Sequence, residues 1–299
     1  MIYTFSYDPA VEIEVKTNAL VIGKKNTADR LKISYSSSLQ YVHNILSCLG
    51  ASSKATGLVS SGFSRGFEEQ FYAPNCYSDF IFGSEIQPRI SILLEGSFNT
   101  LLTSASSIQP PKYVHQLQKK LASLCSSDAV IMLEPQRIPN IDVYMEILSS
   151  TGAYIAAIFD DNNWDFFDSN TFDLTVFGPD ALTSLSGGKT LNVDEAISMA
   201  NAVNRENAII PLKTGVVFQS KNSDCIYLEY LPTSSVYKTH LEQSLLSGFI
   251  AARDAGLPFI RCAVVSFSCA CASLSSKTLT SKQEILKYIR LCDRVMHSI

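Results

Sequence analysis

The chain has 299 residues, of which 46% are hydrophobic and 17% are charged, and its 24 basic and 28 acidic residues leave a net charge of −4. This small negative charge gives no electrostatic footprint for nucleic acid or for an anionic membrane. The sequence has no run of about 18 apolar residues that could span a bilayer, and its first residues lack the pattern of a signal peptide. We therefore expect a cytoplasmic globular protein without nucleic-acid or membrane partners.

Strand-like and helix-like segments alternate along nearly the whole chain. Short apolar or alternating runs predict strands at residues 2–5, 11–16, 55–59, 89–94, 129–133, 154–159, 174–177, 208–212 and 215–218. Helical spacing predicts helices at 41–49, 66–72, 112–124, 141–150, 193–203, 241–255, 261–275 and 281–296. Gly50 is a natural stop for the first of these helices. The alternation favours parallel pairing, so we predict one three-layer α/β/α domain with a mainly parallel central sheet.

The eight cysteines are an even number, which is compatible with disulfides. A chain of this length without a secretory signal normally keeps its thiols reduced. Cys269 and Cys271 lie in SFSCACASLS, where small residues predict a tightly packed helix. The four histidines are scattered, so we expect no metal site.

The opening MIYTFSYDPAVE resembles the MIYTVTLNPAID that begins 1-phosphofructokinases and tagatose-6-phosphate kinases of the ribokinase-like (PfkB) carbohydrate kinase family. Further similarities follow in the family's order along nearly the whole chain. They are Gly23 with Asn26-Thr27-Ala28, His43 to Gly50, Gly57 to Val59, Gly62 to Phe67, Pro88-Arg89-Ile90, Ile158-Phe159-Asp160 and Ser244 to Ala251.

The resemblance implies a fold, an activity and an assembly. The family transfers the γ-phosphate of ATP to a hydroxymethyl group of a phosphosugar. Its fold would be a single ribokinase-like domain over residues 1–299, with a β-strand lid inserted at approximately 10–35 and 86–103. Lid strands in the family often pair between subunits, so we expect a homodimer through these strands.

The family's catalytic loop, GAGDS, is altered in this chain. Counting back from Gly248 and Phe249, the aligned residues are His240-Leu241-Glu242-Gln243-Ser244. Gln243 stands at the position of the general base, where an amide cannot accept a proton, and losing such a base typically costs ~10²–10⁴ in rate. His240, Leu241 and Glu242 add side chains where the family's backbone approaches the nucleotide phosphate. Glu242, one position early, is a substitute base only after a shift in register.

The sugar-binding segment is altered as well. By the resemblance, Ser38 replaces the lysine that reaches the substrate phosphate, and Tyr41 replaces the asparagine that contacts the sugar. Ser37 and Ser38 still offer hydroxyls, but without the charge that makes phosphate contacts strong. Arg89 is a candidate phosphate ligand or, equally well, a solvated residue on a lid strand. Glu12 stands where the family uses an aspartate against sugar hydroxyls.

The nucleotide side keeps few of the family's residues. Residues 174–194 contain no glutamate, and Asp180 is the acid aligned with the family's magnesium-organising motif, although we expect it to cap the following helix. Lys213 is a candidate nucleotide ligand or a surface lysine in a turn. No cofactor follows from the residues alone, and MgATP is implied if the protein is active.

Two functions stay open. The first is a catalytically inactive kinase homologue with a binding or regulatory role, for which a sugar phosphate or a nucleotide is the candidate ligand. The second is an active sugar kinase with a rebuilt site that uses Glu242, Arg89 and Ser36 to Ser38. A nicotinamide enzyme is excluded because no GxGxxG follows the first strand.

Overall fold

The computed structural model describes residues 1–17, 23–95, 100–104, 108–160, 172–203, 207–221, 224–230, 240–276 and 279–296. The strands are β1 (Ile2–Phe5), β2 (Val11–Lys16), β3 (Arg30–Tyr35), β4 (Ser53–Thr56), β5 (Leu58–Ser60), β6 (Cys76–Ser78), β7 (Ile81–Gly83), β8 (Ile90–Glu95), β9 (Thr100–Thr103), β10 (Ala129–Met132), β11 (Tyr154–Phe159), β12 (Leu174–Phe177), β13 (Asn207–Pro211), β14 (Gly215–Gln219) and β15 (Cys225–Glu229). The α-helices are α1 (Ser37–Leu49), α2 (Ser64–Gln70), α3 (Pro111–Ala122), α4 (Ile141–Thr151), α5 (Pro179–Leu185), α6 (Val193–Val203), α7 (Leu241–Asp254), α8 (Phe259–Leu274) and α9 (Lys282–Met296).

The central sheet has nine strands among the described residues, in the order β15-β14-β13-β12-β11-β10-β1-β4-β6. Neighbouring strands pair in parallel from β6 to β13, and β13–β14 and β14–β15 are antiparallel. Every residue of β10 and β12 is buried. Continuous apolar strands of this kind are typical of a parallel sheet that helices cover on both faces. The predicted mainly parallel sheet is confirmed.

Helices cover both faces of the sheet. α1, α7, α8 and α9 contribute to one apolar core, in which Leu46, Leu246 and Phe267 are buried. α3, α4, α5 and α6 contribute to a second core on the other face, in which Leu121 and Tyr144 are buried. This arrangement confirms the predicted three layers.

The pair formed by α7 and α8 depends on small residues. A Cβ at Gly248 in α7 would lie 2.8 Å from the Ser266 Cα and 2.9 Å from the Cys269 Sγ. Residues 262–274 of α8 are all buried. The predicted tightly packed helix around Cys269 is therefore confirmed, and the missing side chain at Gly248 lets the two backbones approach closely.

The segment predicted as one strand at residues 55–59 is two strands, β4 and β5. Gly57 lies between them. A side chain does not fit at this residue, because its Cβ would lie 1.9 Å from the backbone oxygen of Ser6. β4 stays in the central sheet, whereas β5 pairs with β7 in a separate two-stranded sheet. The close approach of the chain after β1 therefore requires a glycine at this break between the two strands.

His43 links the first strands to α1. Its ring nitrogens lie 2.5 Å from the Thr4 Oγ1 in β1 and 3.2 Å from the Ser53 Oγ in β4. Burial lowers the pKa of His43 to about 3. The imidazole is therefore neutral and serves as a hydrogen-bonding bridge inside the core.

A second sheet of four strands, in the order β3-β2-β8-β9, lies within the two ranges predicted for the lid. β2 pairs antiparallel with β3 and parallel with β8. Because residues directly opposite each other share a face, Ile33, Ile13, Ile92 and Leu102 form one row across all four strands. Ser34, Glu12 and Ser91 form a polar row on the opposite face.

The eight cysteines are free thiols. None of the helices built by the described residues is both long enough and apolar enough to cross a membrane.

Candidate functional site

The candidate site lies at the carboxyl ends of the parallel strands. The chain leaves β1 through α1 toward β4 on one side, whereas it leaves β10 through α4 toward β11 on the other. In open α/β sheets, such a reversal opens a crevice outside the strand ends, where ligands bind. The loops after β1 and β10 and the first turn of α1 meet in this region.

A strained histidine stands at the start of α7. His240 precedes the helix with a φ of 61°, in the left-handed region. Its ring stacks on Tyr41 of α1 at 4.7 Å between centroids, with 22° between the planes. The Tyr41 hydroxyl bonds to the Ser273 Oγ at 2.8 Å and to the Thr280 Oγ1 at 2.9 Å. The buried Tyr41 therefore supports the ring of His240, and its own hydroxyl is held by hydrogen bonds at and beyond the end of α8.

Leu241, Glu242 and Gln243 form the rest of this turn, and all three are half-buried. Burial raises the pKa of Glu242, with a further contribution from the carboxylate of Asp160 and an opposing hydrogen bond to its own backbone. The Gln243 Oε1 is buried and accepts no hydrogen bond from the described residues. The turn thus holds a carboxyl group whose pKa is raised above its ordinary value and an amide oxygen without a donor among the described residues.

Tyr230, at the end of β15, is a residue of this region that sequence reasoning missed. Its ring stacks on Phe267 at 5.8 Å. Burial raises the pKa of its hydroxyl, and the nearby Glu242 raises it further. The hydroxyl is buried, and none of the described residues bonds to it.

Asp160 follows β11 and caps α5. Its Oδ1 accepts hydrogen bonds from the backbone N–H of Asp180 at 2.7 Å and of Ala181 at 3.4 Å. Gly178 gives this carboxylate room, because a Cβ there would lie 2.3 Å from the Asp160 Cγ. The expectation that Asp180 caps the helix is wrong, since the carboxylate comes from the neighbouring strand end.

Arg89 is buried just before β8 and faces two carboxylates. Its Nη1 lies 2.6 Å from the Glu134 Oε2 and 3.7 Å from the Asp8 Oδ1. Glu134 also lies 3.4 Å from the Nε of Arg137. The alternative of a solvated Arg89 is wrong, because these carboxylates and the strands beside them take the side chain out of water. Asp8 and Glu134 lie in the loops just beyond the carboxyl ends of β1 and β10, a position that could have marked them in the sequence.

Glu12 and Ser37 lie together at the start of α1. The backbone N–H of Ser37 donates a hydrogen bond to the Glu12 Oε1 at 2.8 Å. Ser36 adopts a φ of 49° before the helix, and Ser38 lies half-buried in its first turn. A carboxylate at this end of the helix also meets the positive end of the helix dipole.

Lys213 lies apart from these groups in the exposed turn between β13 and β14. Its Nζ lies 3.2 Å from the Thr190 Oγ1. The structure thus joins His240 to Tyr41 and Glu12 to Ser37. Arg89 is joined to two acids that were not predicted as site residues. No group of three His, Cys, Asp or Glu side chains within the described ranges could hold a metal ion.

Several solved structures share this architecture over almost their whole length. A Staphylococcus aureus protein provisionally assigned as a phosphofructokinase has a TM-score of 0.80 at 19% identity, covering 97% of each chain. Phosphofructokinase-2 from Escherichia coli in complex with fructose-6-phosphate has a TM-score of 0.80 at 11% identity, covering 98% of this chain and 99% of its own. Another structure of the Escherichia coli enzyme is its tetrameric inhibited form. Ribokinase from Arabidopsis thaliana, complexed with ribose and ATP, has a TM-score of 0.74 at 12% identity, covering 97% of this chain and 98% of its own.

The fold is that of the ribokinase-like sugar kinases. No family model matches the sequence, and no curated protein matches it significantly. At such identities the ribokinase-like likeness establishes the fold, while the activity must be argued from the site.

Proposed function

We propose that this protein is a catalytically inactive member of the ribokinase-like fold, a pseudokinase that acts by binding and assembly. The observation that carries the proposal is that positions suited to anions are occupied by the protein's own carboxylates. Glu12 lies at the start of α1, and Glu134 and Asp8 lie against Arg89. A phosphate group would have to displace these partners.

Arg89 supports the proposal most directly. A buried arginine that faces two carboxylates has its charge compensated, so a phosphate would meet no unpaired positive charge there. An incoming sugar phosphate competes with Glu134 at 2.6 Å for the same guanidinium. We therefore expect weak binding of sugar phosphates compared with a kinase whose arginine is free.

The first turn of α7 supports the proposal through its chemistry. By the resemblance, Gln243 stands at the general-base position, and an amide cannot remove a proton from a sugar hydroxyl. Glu242 brings a carboxyl group toward the backbone N–H groups that would face the transferring phosphoryl.

The described residues do not fit a MgATP complex. Within them, no cluster of acids suits a divalent cation, and Asp160 is already engaged by the N-terminus of α5. Lys213 is engaged with Thr190. We therefore assign no step of a reaction to the nucleotide.

Phosphoryl transfer from labelled MgATP tests the proposal. Fructose 1-phosphate, tagatose 6-phosphate and fructose 6-phosphate are offered at high protein concentration, with Escherichia coli phosphofructokinase-2 as the control. We expect no transfer above the rate in buffer from the wild type. Transfer within a factor of about 100 of the control enzyme would overturn the proposal.

A rebuilt variant makes this test sharper. It combines His240→Gly, Leu241→Ala, Glu242→Gly and Gln243→Asp, which restores the family's loop. Activity that appears only in the rebuilt protein supports loss of chemistry on a retained scaffold. Phosphoryl transfer by the wild type at the rate of an active rebuilt variant contradicts it.

A second candidate, an active kinase with Glu242 as its base, is favoured by one observation. Burial raises the pKa of Glu242, and a carboxylate with a raised pKa is a stronger general base. In this case the wild type transfers phosphate and Glu242→Gln abolishes the transfer. Glu229→Gln, at an exposed position of β15, is the matched control and should leave the rate unchanged.

The four-stranded sheet supports assembly into a homodimer. Its polar row faces the site, since Glu12 bonds to the start of α1. Its apolar row faces outward, with Ile33 51% and Leu102 54% exposed. A soluble sheet normally shows the reverse pattern, so the outward face needs a cover. A second copy of the same sheet offers a matching apolar row.

Sedimentation velocity tests the dimer. We expect a particle of about twice the 32.8 kDa chain mass, and Ile33→Asp should shift it to the monomer. Ile260→Asp is the matched control, because Ile260 of α8 is similarly exposed outside the four-stranded sheet. A wild-type monomer, or a dimer that Ile33→Asp leaves intact, would refute the proposed interface.

A further inference from the structure

A cavity of about 410 Å³ opens between α3 and α4, on the opposite face of the central sheet from α7. Its floor contains two aromatic rings, Tyr7 and Tyr144, whose centroids lie 6.0 Å apart with an interplanar angle of 80°. Both residues are almost fully buried, and the exposed side chain of Val143 lies at the rim. The volume lies within the range of about 300–1,000 Å³ that small-molecule pockets occupy.

The lining combines apolar walls with polar groups. Val114 and Pro139 supply apolar walls, while Gln118, His115 and Asn140 supply side chains that donate or accept hydrogen bonds. Among the described residues that line the cavity, none is an aspartate, glutamate, lysine or arginine. An anionic ligand would therefore lose its hydration without meeting a lysine or an arginine that could offset the loss.

The floor and the rim of the cavity each contain a polar residue that affects ligand binding. The hydroxyl of Tyr144 is buried at the floor and is hydrogen-bonded to the hydroxyl of Tyr7, which holds the two rings against each other. Burial raises the pKa of the Tyr144 hydroxyl, so the floor presents no negative charge. Asn140, at the rim, adopts a φ of 53°, and such residues concentrate at ligand-binding sites.

From this combination we infer that the cavity between α3 and α4 is a binding site for an uncharged small molecule with an aromatic body and an amide or hydroxyl group. The aromatic body lies on the tyrosine rings of the floor, where edge and face contacts are favourable. The polar group reaches the side chains of Gln118 and Asn140. This site is separate from the residues proposed above for sugar phosphates and nucleotides, so it stands whether or not the protein is a kinase.

The probe for this site is 4-hydroxybenzamide, which is uncharged at neutral pH, and 4-hydroxybenzoate is its charged counterpart of similar shape. A ligand-observed NMR titration of the full chain measures both. We expect saturable binding of the amide with a Kd on the order of 1 mM, as suits a ligand of about ten heavy atoms. We expect the benzoate to bind at least about tenfold more weakly.

Two variants locate the binding. Val143→Trp fills the rim of the cavity and should weaken binding of the amide at least about tenfold. Glu146→Trp places the same ring at an exposed position of α4 that does not line the cavity, and it should leave binding unchanged. Circular dichroism confirms that both variants are folded.

Three results would overturn the assignment. They are the absence of saturable binding of the amide up to about 20 mM, equal affinity for the benzoate, and binding that Val143→Trp leaves unchanged.

Discussion

The body of α7 and its first turn have opposite characters. In the body, residues 244–252 are all buried, Gly248 lies against the backbone of α8, and the Ser266 Oγ donates a hydrogen bond to the Leu245 carbonyl at 2.6 Å. In the first turn, His240 has a positive φ, Glu242 has a raised pKa, and the Gln243 Oε1 has no donor among the described residues.

The difference shows that the body of α7 and its first turn are shaped by different requirements. Its body is arranged for packing, with small residues and satisfied hydrogen bonds. Its first turn contains a strained backbone and a buried polar atom without a hydrogen-bond donor, and both features lower the stability of the folded chain. Such features concentrate at functional sites. The close packing of the helix is therefore kept directly beside its strained first turn.

The largest expected effect tests the body of the helix. Gly248→Val should lower the free energy of unfolding by about 3 kcal/mol, because its side chain would overlap the backbone of Ser266 and the thiol of Cys269. Urea denaturation measures the change. Asp254→Val, at an exposed position of the same helix, should cost less than about 0.7 kcal/mol. Equal losses in the two variants would mean that the close approach at Gly248 does not matter.

A smaller effect tests Tyr41, whose ring supports His240 at the start of α7. Tyr41→Phe removes two buried hydrogen bonds, to Ser273 and Thr280, and should lower the free energy of unfolding by about 2 kcal/mol. Tyr230→Phe is the matched control. Its hydroxyl is buried and bonds to no described residue, so the loss should stay within about 0.5 kcal/mol of zero. A control that costs as much as Tyr41→Phe would contradict this account.

The smallest expected effect tests the first turn itself. A carboxyl group whose pKa is raised on folding contributes its full stability below its ordinary pKa of 4.5, and this contribution is lost as the pH rises through the folded value. Glu242→Gln, which is never charged, should therefore raise the melting temperature at neutral pH and have little effect well below pH 4.5. Thermal unfolding at several pH values measures this difference. An exposed control, Glu146→Gln, should show no such pH-dependent gain, and a gain of the same size there would argue against burial as the cause.

Much of the fold could be predicted from local patterns. The strands β1 and β10 to β14, the helices α3, α4 and α6 to α9, and the stop at Gly50 follow from periodicity and from a glycine with a φ of 78°. The short elements β6, β15 and α5 were not predicted. The break at Gly57 could not be predicted in this way. It depends on the approach of Ser6, which is a contact between separate segments.

The site was less predictable for the same physical reason. The surroundings of Arg89 come from the ends of β1 and β10, so its own sequence neighbours gave no sign of Asp8 or Glu134. The stacking of His240 on Tyr41 likewise joins distant segments. The capping carboxylate of α5 comes from Asp160 on the adjacent strand, which is why the local rule selected Asp180 wrongly.

His43 sets an acid limit for handling this protein. The pKa of His43 is about 3 in the folded chain and near 6.5 in an unfolded one. Between these two pH values the unfolded state therefore binds a proton that the folded state does not bind. Stability is unaffected above pH 6.5 and declines steadily as the pH falls toward 3. In acidic acetate or citrate buffers the folded protein would therefore be less stable during purification, storage and crystallisation. Neutral buffers preserve the hydrogen bonds by which His43 connects β1, β4 and α1.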